Sequence, residues 1–557
     1  MSKAKVGLIV DDRAQSKQVH DLLKMSHNSE VYEITHLVVQ KVSGSNIISL
    51  RRKPMDFIKR RGIKKLVATI TFKIICKLEE YIVKKNPILK DFFDKYNLDE
   101  FDIPKIEVSP IISKSGFVYR YSEDDLNQIK NRKFDILVRS GSGILRGDIL
   151  SACKKGIISF HHANNDLNRG SPPGFWEVVK RQKSTGFVIQ ILKDELDGGD
   201  VIFKGSIPTS FLYTLNRVKL YKKANIFMHK ILENIFTNNK PIRVYPKRPY
   251  DQPLLTTPDL TKQVEYIFRT GIYVSQKIMR RLLGKESRWS VAYQYCENWR
   301  DISLWKSKII ENPSNRFLAD PFVIKYANKY YCFVEDYSYL SKRALISVYE
   351  INNDGAKELG VALEEDFHLS YPFLIEDDGQ LYMCPETHQN KDIRIYKCIE
   401  FPLKWKLEKV LISNISAVDT SIFKRNGRWW LLTNIDTSNI GDHDSELHLY
   451  SSDTLLSENW IPHPLNPIIF DSERASNGGL LHENNEIFRV YQKQGWNTYG
   501  EGFGVARIVS INDHEYIEET EFEISSDFFK NAKGTHTYSF NNGLIAIDFV
   551  SITKTGN

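Results

Sequence analysis

Residues 156–205 read GIISFHHANNDLNRGSPPGFWEVVKRQKSTGFVIQILKDELDGGDVIFKG. An apolar run, Ile157 to Phe160, delivers two histidines, His161 and His162. An Arg169-Gly170 pair and Trp176 follow, and the stretch closes on Asp197 in an ELDGGD turn. An imidazole and a carboxylate, each held by turn chemistry beside a strand, are the parts of an acyl-transfer site.

Working outward, Phe134 to Val138 is another apolar strand. It runs into Ser140-Gly141-Ser142-Gly143 and then a short helix to Cys153. Residues 5–10 (KVGLIV) and 31–39 (VYEITHLVV) read as buried parallel strands. A helix from Ser16 to Met25 joins them. Ser122 with Asp125 is a helix cap. Phe187 to Leu192 and Val201 to Phe203 flank the ELDGGD turn as a hairpin-like pair. A helix from Leu215 to Phe236 ends a domain over 1–237. In this open α/β sheet His161 sits at a strand C-terminus, where ligands bind.

The stretch resembles the folate-dependent formyltransferases, which include methionyl-tRNA, glycinamide ribonucleotide and sugar N-formyltransferases. The family pattern is strand, N-x-H, a loop ending in R-G, a tryptophan helix and LDxGD. His161, Arg169-Gly170, Trp176 and Asp197 match it without gaps. The resemblance implies a Rossmann-like α/β domain with N10-formyltetrahydrofolate as co-substrate. It implies that His161 polarises the formyl carbonyl and helps remove the amine proton, and that Asp197 orients a water or the imidazole. Ser140, Gly141, Gly143, Leu145, Leu196, Gly198 and Gly199 would line the cofactor pocket. One departure stands out: the family asparagine that steadies the oxyanion is Ser159 here. Serine donates too, but is shorter and free to rotate. Asn164, Asn165 and His162 are alternative donors. Arg169 is either a phosphate or substrate contact or a clamp on its own loop.

Length and composition set bounds. At 557 residues the chain exceeds one core. Hydrophobic content of 41% and charged content of 26% are those of a globular protein. The net charge of +8 is local: Arg51 to Lys85 carries twelve Lys/Arg against three Asp/Glu. That local excess does not indicate a nucleic-acid partner. The six cysteines show no CxxC pair and no secretory framework. With a first strand in place of a signal peptide, they point to a reducing, cytoplasmic setting. No run approaches eighteen apolar residues, so no transmembrane span is expected. No metal ligand set is expected, and a homo-oligomer is left open.

Within the basic stretch, Ile63, Val67, Ile70, Ile74, Leu78 and Ile82 fall on one helical face. The leading expectation is that this face packs inward and the cations are solvated. A membrane surface or an anionic, nucleotide-linked sugar are the alternatives. Residues 238–300 read as a linker followed by a basic amphipathic helix, Val264 to Leu283.

Over 301–557 the period changes to short strands with a repeat of about fifty residues. Units start at Asp320-Pro321, Tyr371-Pro372, Asp419-Thr420, Asn477-Gly478 and Thr535-His536. Five starts predict an all-β, five-bladed propeller. The ADPFV and SYPFL starts resemble propellers of glycoside hydrolase family 43 and a propeller found beside some glycosyltransferases of glycolipid synthesis. Asp320, Glu335, Glu386, Asp419 and His536 lie at or near blade starts. A glycosidase needs two carboxylates about 5–10 Å apart, and Asp320 with Asp419 or Glu386 are the candidates. Tyr371 stands where those hydrolases carry an aspartate, which favours sugar binding over hydrolysis. Trp429, Trp430, Trp496 and Tyr499 are candidate stacking faces.

The expectation for the whole chain is formyl transfer to the amine of a nucleotide-linked amino sugar in surface polysaccharide synthesis. The alternative is a glycan-binding or glycan-processing propeller whose first domain is re-purposed.

Overall fold

The computed structural model describes residues 3–12, 16–42, 62–195, 198–237 and 244–554. Two compact units divide between Gly271 and Ile272.

The first unit is built on a seven-stranded sheet. Its strand order is Asp200–Pro208, Ser184–Ile191, Ile157–His161, Ile136–Arg139, Ala4–Asp11, Tyr32–Gln40 and Lys105–Val108. The last five run parallel. The first two form an antiparallel hairpin on one edge, as expected either side of the ELDGGD turn. Strand order reverses beside Ala4–Asp11, so Asp11, Arg139 and His161 end their strands near the switch point.

Alternation along Ile157–His161 assigns the faces. Ile157, Leu137 and Ile9 pack in a cluster with Tyr119, Leu126, Leu145 and Ile149. On the opposite face Phe160 stacks on His162 at 5.3 Å, and His162 stacks on Tyr221 of the helix Tyr213–Thr237 at 3.9 Å. Two caps sit where the sequence places them. Ser16 Oγ accepts from the Val19 N–H, and Ser122 Oγ accepts from the Asp125 N–H.

The apolar stripe of the basic stretch does not pack inward. In the helix Ile63–Val83 the buried residues are Ala68, Phe72, Glu79 and Val83. Ile63, Val67, Ile70, Ile74, Leu78 and Ile82 are exposed. The interior selected a different stripe because polar bonds hold it there. Glu79 accepts from the Thr214 N–H (2.7 Å) and from the Tyr266 hydroxyl. Arg51 to Arg61 of that stretch lie outside the described residues.

Much of the expected linker is built into the units. Leu255 forms a bridge with Gly170, accepting from Ser171 N–H (3.0 Å) and donating to the Arg169 carbonyl (2.9 Å). Gly170 has φ +110°, and a Cβ there would lie 2.1 Å from the Leu255 oxygen. The helix Leu260–Leu282 docks through Gln263 on the Ala68 carbonyl (2.7 Å) and through Tyr266 on Glu79. Residues 238–243 lie outside the described residues.

The second unit holds five antiparallel sheets. Their inner strands begin at Arg316, Ser370, Ala417, Asn477 and Tyr538, and each touches the next around a closed ring. The fifth sheet is closed by pairing across the sequence: Lys285–Tyr295 lies antiparallel to Leu544–Lys554. This joint ties both ends of the unit together. It also takes residues from 285 onward out of the expected linker and into the propeller.

Candidate functional site

Three side chains converge on the upper face of the first sheet because their strands are neighbours in register. Arg139 pairs with Ser159 across the parallel ladder, and Ser159 pairs with Gln190 across the antiparallel one. Arg139 Nη1 donates to Ser159 Oγ at 3.3 Å, and its Nη2 donates to the Gly143 carbonyl. Ser159 is buried, as are His161, Asn165 and Gln190. Asn165 Nδ2 donates to Gln190 Oε1 at 3.2 Å. Arg139 and Gln190 were not singled out from sequence. Arg139 was detectable as the last residue of a central strand beside the switch point; Gln190 was not, because its partner strand runs antiparallel from further along the chain.

His161 Nε2 donates to the Asn168 carbonyl at 3.3 Å. A carbonyl only accepts, so this bond selects the Nε2–H tautomer and makes Nδ1 the basic nitrogen. Asn168 is itself fixed: its Nδ2 donates to Glu177 Oε1 at 2.8 Å. Glu177 is buried at the start of the helix Phe175–Lys180, and burial pushes its carboxyl up, against that bond from Asn168. The loop between strand and helix therefore acts as a brace behind the imidazole.

The other predicted residues separate into those inside and those outside this cluster. His162 points to the opposite face. Burial, then the neighbouring His161, brings it down to about 3, so it stays neutral and is core rather than an oxyanion donor. Asn164 Oδ1 accepts from the Asp166 N–H (3.0 Å) and serves its own turn. Arg169 Nε donates to the Asn165 carbonyl at 3.1 Å, and its guanidinium lies 4.5 Å from the Tyr250 ring centre. It clamps the loop, and nothing in its contacts marks it as a substrate anchor. Leu196 and Asp197 lie outside the described residues.

Each glycine of the expected cofactor pocket has a reason within the fold. A Cβ on Gly141 would lie 2.4 Å from the Gln40 amide nitrogen. Gly143 sits at φ +81° against the Tyr119 ring. Gly198 would meet Glu195, and Gly199 the Ile191 carbonyl at 2.4 Å. These close approaches are to protein. Ser142 N–H donates to both Asp11 oxygens (3.0 and 3.1 Å), which fixes the Ser140–Gly143 loop over the switch point. Leu145 is core. The polar set holds a guanidinium that donates and an imidazole that accepts, while the Ser159 hydroxyl donates to the Phe160 carbonyl at 3.2 Å.

The second unit carries its own cluster at the ring centre. Asp320, Tyr371 and Asp419 are equivalent unit starts, and all three take positive φ (46°, 45° and 50°). Asp320 Oδ1 accepts from Thr537 Oγ1 (2.9 Å), and Asp320 Oδ2 accepts from the Tyr371 N–H (3.2 Å). Asp419 Oδ2 accepts from Gln492 Nε2 at 3.0 Å. His536 Nδ1 lies 2.6 Å from Asp548 Oδ2, and Trp289 stacks on its ring at 4.1 Å. His368 Nε2 lies 3.2 Å from Glu335 Oε1.

Burial and mutual repulsion dominate the electrostatics here. Asp320 is pushed up to about 7, by burial first, with Glu335 and Asp548 adding to it against His536. Glu386 rises to about 8 through burial and the charge of Asp320. Asp419 rises well above the usual carboxylate range through burial and Glu386. Burial pulls His536 down, but Asp548 overcomes it and raises the imidazole to about 9. The structure thus brings the predicted Asp320, Glu386 and Asp419 into one mutually interacting group. Asp548, Trp289 and Gln492 were missed; each arrives from a strand remote in sequence.

Asp320, His536 and Asp548 place ligand atoms within 4.8 Å of one another, a spacing that suits a cation. Their own bonds already close the group, since Asp548 Oδ1 accepts from the His536 and Thr537 N–H groups. Trp429 and Trp430 are buried in the blade core, which removes them as stacking faces. Trp496 packs edge-on against Tyr273 at 5.1 Å. Tyr499 is exposed and lies edge-on to His536 at 5.2 Å.

Comparison with known proteins matches the two regions separately. The family model "Glucosamine inositolphosphorylceramide transferase 1, N-terminal" matches residues 302–545. Glucosamine inositolphosphorylceramide transferase 1 of Arabidopsis thaliana is 33% identical over 234 residues, covering 41% of this chain and 29% of that protein. Methionyl-tRNA formyltransferase of Bacillus subtilis (strain 168) is 25% identical over 194 residues, covering 34% of this chain and 59% of that protein. The chain thus spans less than two thirds of the curated relatives it matches. Among solved structures, the catalytic domain of the Coprinopsis cinerea GH62 alpha-L-arabinofuranosidase aligns at 10% identity and TM-score 0.34, over 48% of this chain and 97% of that one. Glycinamide ribonucleotide transformylase 1 from Symbiobacterium toebii aligns at 11% identity and TM-score 0.28, over 45% and 95%. The N-terminal region is formyltransferase-like, and the relatives matched by sequence in both regions are transferases by name.

Proposed function

We propose that the chain is a cytoplasmic N-formyltransferase that uses N10-formyltetrahydrofolate and a nucleotide-linked amino sugar. The observation that carries this reading is the Arg139–Ser159 pair beside His161. It supplies a charged donor where the family asparagine is missing. When bound, the folate supplies an activated formyl carbon. Arg139 donates to the carbonyl oxygen as it gains charge, held by Ser159, whose Oγ accepts from Arg139 and donates to the Phe160 carbonyl; a preorganised donor of this kind contributes about 2.7–4 kcal/mol to lowering the barrier. His161 Nδ1 takes the proton from the attacking amine, while the Asn168 carbonyl holds the ring through Nε2. Asp197, by resemblance, orients the proton-transfer path. An amino-sugar acceptor is supported by the relative that is named for glucosamine transfer to a lipid.

The test is incubation of the full chain with N10-formyltetrahydrofolate and a panel of nucleotide-linked amino sugars, read by mass spectrometry. A formylated product that is lost in His161→Ala supports the reading. No product from any acceptor would end it.

The ring-centre carboxylates favour a second reading, in which the propeller handles the glycan and the first unit is re-purposed. Asp320→Ala should then abolish glycan binding while the wild-type chain still gives no formylated product.

A further inference from the structure

The apolar stripe that the interior did not use calls for a partner. Ile63, Val67, Ile70, Ile74, Leu78, Tyr81 and Ile82 form a continuous exposed face of the helix Ile63–Val83. Exposures run from 41% at Val67 to 69% at Tyr81, along seven large side chains at three- and four-residue steps. The helix bonded to it, Leu260–Leu282, repeats the arrangement. Gln263 and Tyr266 are buried, while Val264, Ile267 and Phe268 stand out at 54–66%. A folded chain leaves contiguous apolar surface of this size where something else covers it.

Charge decides what that is. Within the first unit, residues 63–83 and 260–271 carry six Lys/Arg against three Asp/Glu, and one of the three acids, Glu79, is buried. Lys64, Lys73 and Lys77 are exposed beside the first stripe, and Lys84 and Lys85 follow it. Lys262 and Arg269 belong to the first-unit part of the second helix. Two copies meeting face to face would bring these cations together. An anionic bilayer receives both components: apolar side chains enter the headgroup boundary and the cations meet lipid phosphates. No helix among the described residues is long and apolar enough to cross a membrane, which agrees with helices that lie on it.

We infer that the helix Ile63–Val83 and residues 260–271 of the helix Leu260–Leu282 dock the first unit on an anionic lipid surface. This does not depend on formyl transfer, since the face is remote in sequence from the His161 cluster and its readout is binding.

The test is co-sedimentation of the full chain with vesicles of phosphatidylcholine alone or with about 30% phosphatidylserine. Anionic vesicles should bind the chain, neutral ones at least about tenfold less, and added salt should weaken binding. Ile70→Glu with Ile74→Glu, and separately Phe268→Glu, should each lower the bound fraction about tenfold or more. These positions are exposed, so circular dichroism should stay unchanged. Lys73→Ala with Lys77→Ala should cut binding to anionic vesicles only. Absence of binding to anionic vesicles, or full binding by the folded glutamate variants, would overturn the inference. So would a wild-type dimer in light scattering that these variants convert to monomer, because a second copy would then cover the face.

Discussion

The strand-end site of the first unit and the ring-centre site of the second use the same residue types to opposite electrostatic ends. Around His161 the described neighbours are a guanidinium, Arg139, a hydroxyl, amides and the buried Glu177 that braces Asn168. Around Asp320 the groups are carboxylates that raise one another's proton affinity, balanced by two imidazoles. The first suits the stabilisation of developing negative charge; the second suits a cation or a proton. The lesson is that histidines and acids in a sequence do not define chemistry until their neighbours are known.

The largest test of that contrast exchanges the two sites. His161→Ala should lower formyl transfer about 10²–10⁴-fold, whereas Asp320→Ala should leave it within about threefold. A steady-state assay of both variants decides, and equal losses would break the separation. Next, Asp548→Asn should cost the propeller about 1–3 kcal/mol, because it removes the nearer of the two carboxylates beside the buried His536 and leaves Asp320 at 3.7 Å. Denaturant melts of the variant read this, and an unchanged midpoint would remove the ion pair from the account. Arg139→Gln should reduce kcat by about 10²–10³ with KM little changed, as expected for a donor that acts on developing charge. A pure KM effect would recast Arg139 as a binding residue. Gly170→Ala should cost about 1–3 kcal/mol, since its φ and the Leu255 carbonyl both exclude a side chain.

The smallest and most graded effect is with pH, and its sign differs between His162 and the ring-centre pair of Glu386 and His536. His162 is held below its ordinary value, at about 3. Its contribution to stability is present above pH 6.5 and is lost as pH falls toward 3. Glu386 and His536 are held above theirs, at about 8 and about 9. Their contributions are present at low pH and are lost as pH rises through those values. One pH unit into each window should cost about 1 kcal/mol. Hydrogen exchange, resolved by segment, should show the backbone around His162 loosening in acid and that around Glu386 and His536 loosening as pH rises. The same direction in both would contradict the assignments.

Legibility in the sequence followed distance along the chain. His161 was readable because strand, turn and loop lie within a dozen residues of it. Ser122, Ser16 and the hairpin around the ELDGGD turn were readable for the same reason. The five unit starts were readable because a repeat announces itself. Arg139 as the partner of Ser159 was not, since their pairing depends on two strands lying side by side. The outward turn of Ile70 and Ile74 was not either. Periodicity shows that a stripe exists, but the side that is buried was decided by Glu79, Tyr266 and Thr214, which meet only in three dimensions.

From the sequence alone came the strand that ends in His161, the alternation that makes an α/β sheet, and the repeat that makes a ring of sheets. These rest on local backbone preference and hydrophobic period, which act over a few residues. Tertiary structure alone decided that Arg139 lies beside Ser159, that His162 is core, that Asp320, Glu386 and Asp419 share one electrostatic site, and that an apolar helix face points outward. Those outcomes depend on burial and charge between segments far apart in the chain, and such terms exist only once the chain has folded.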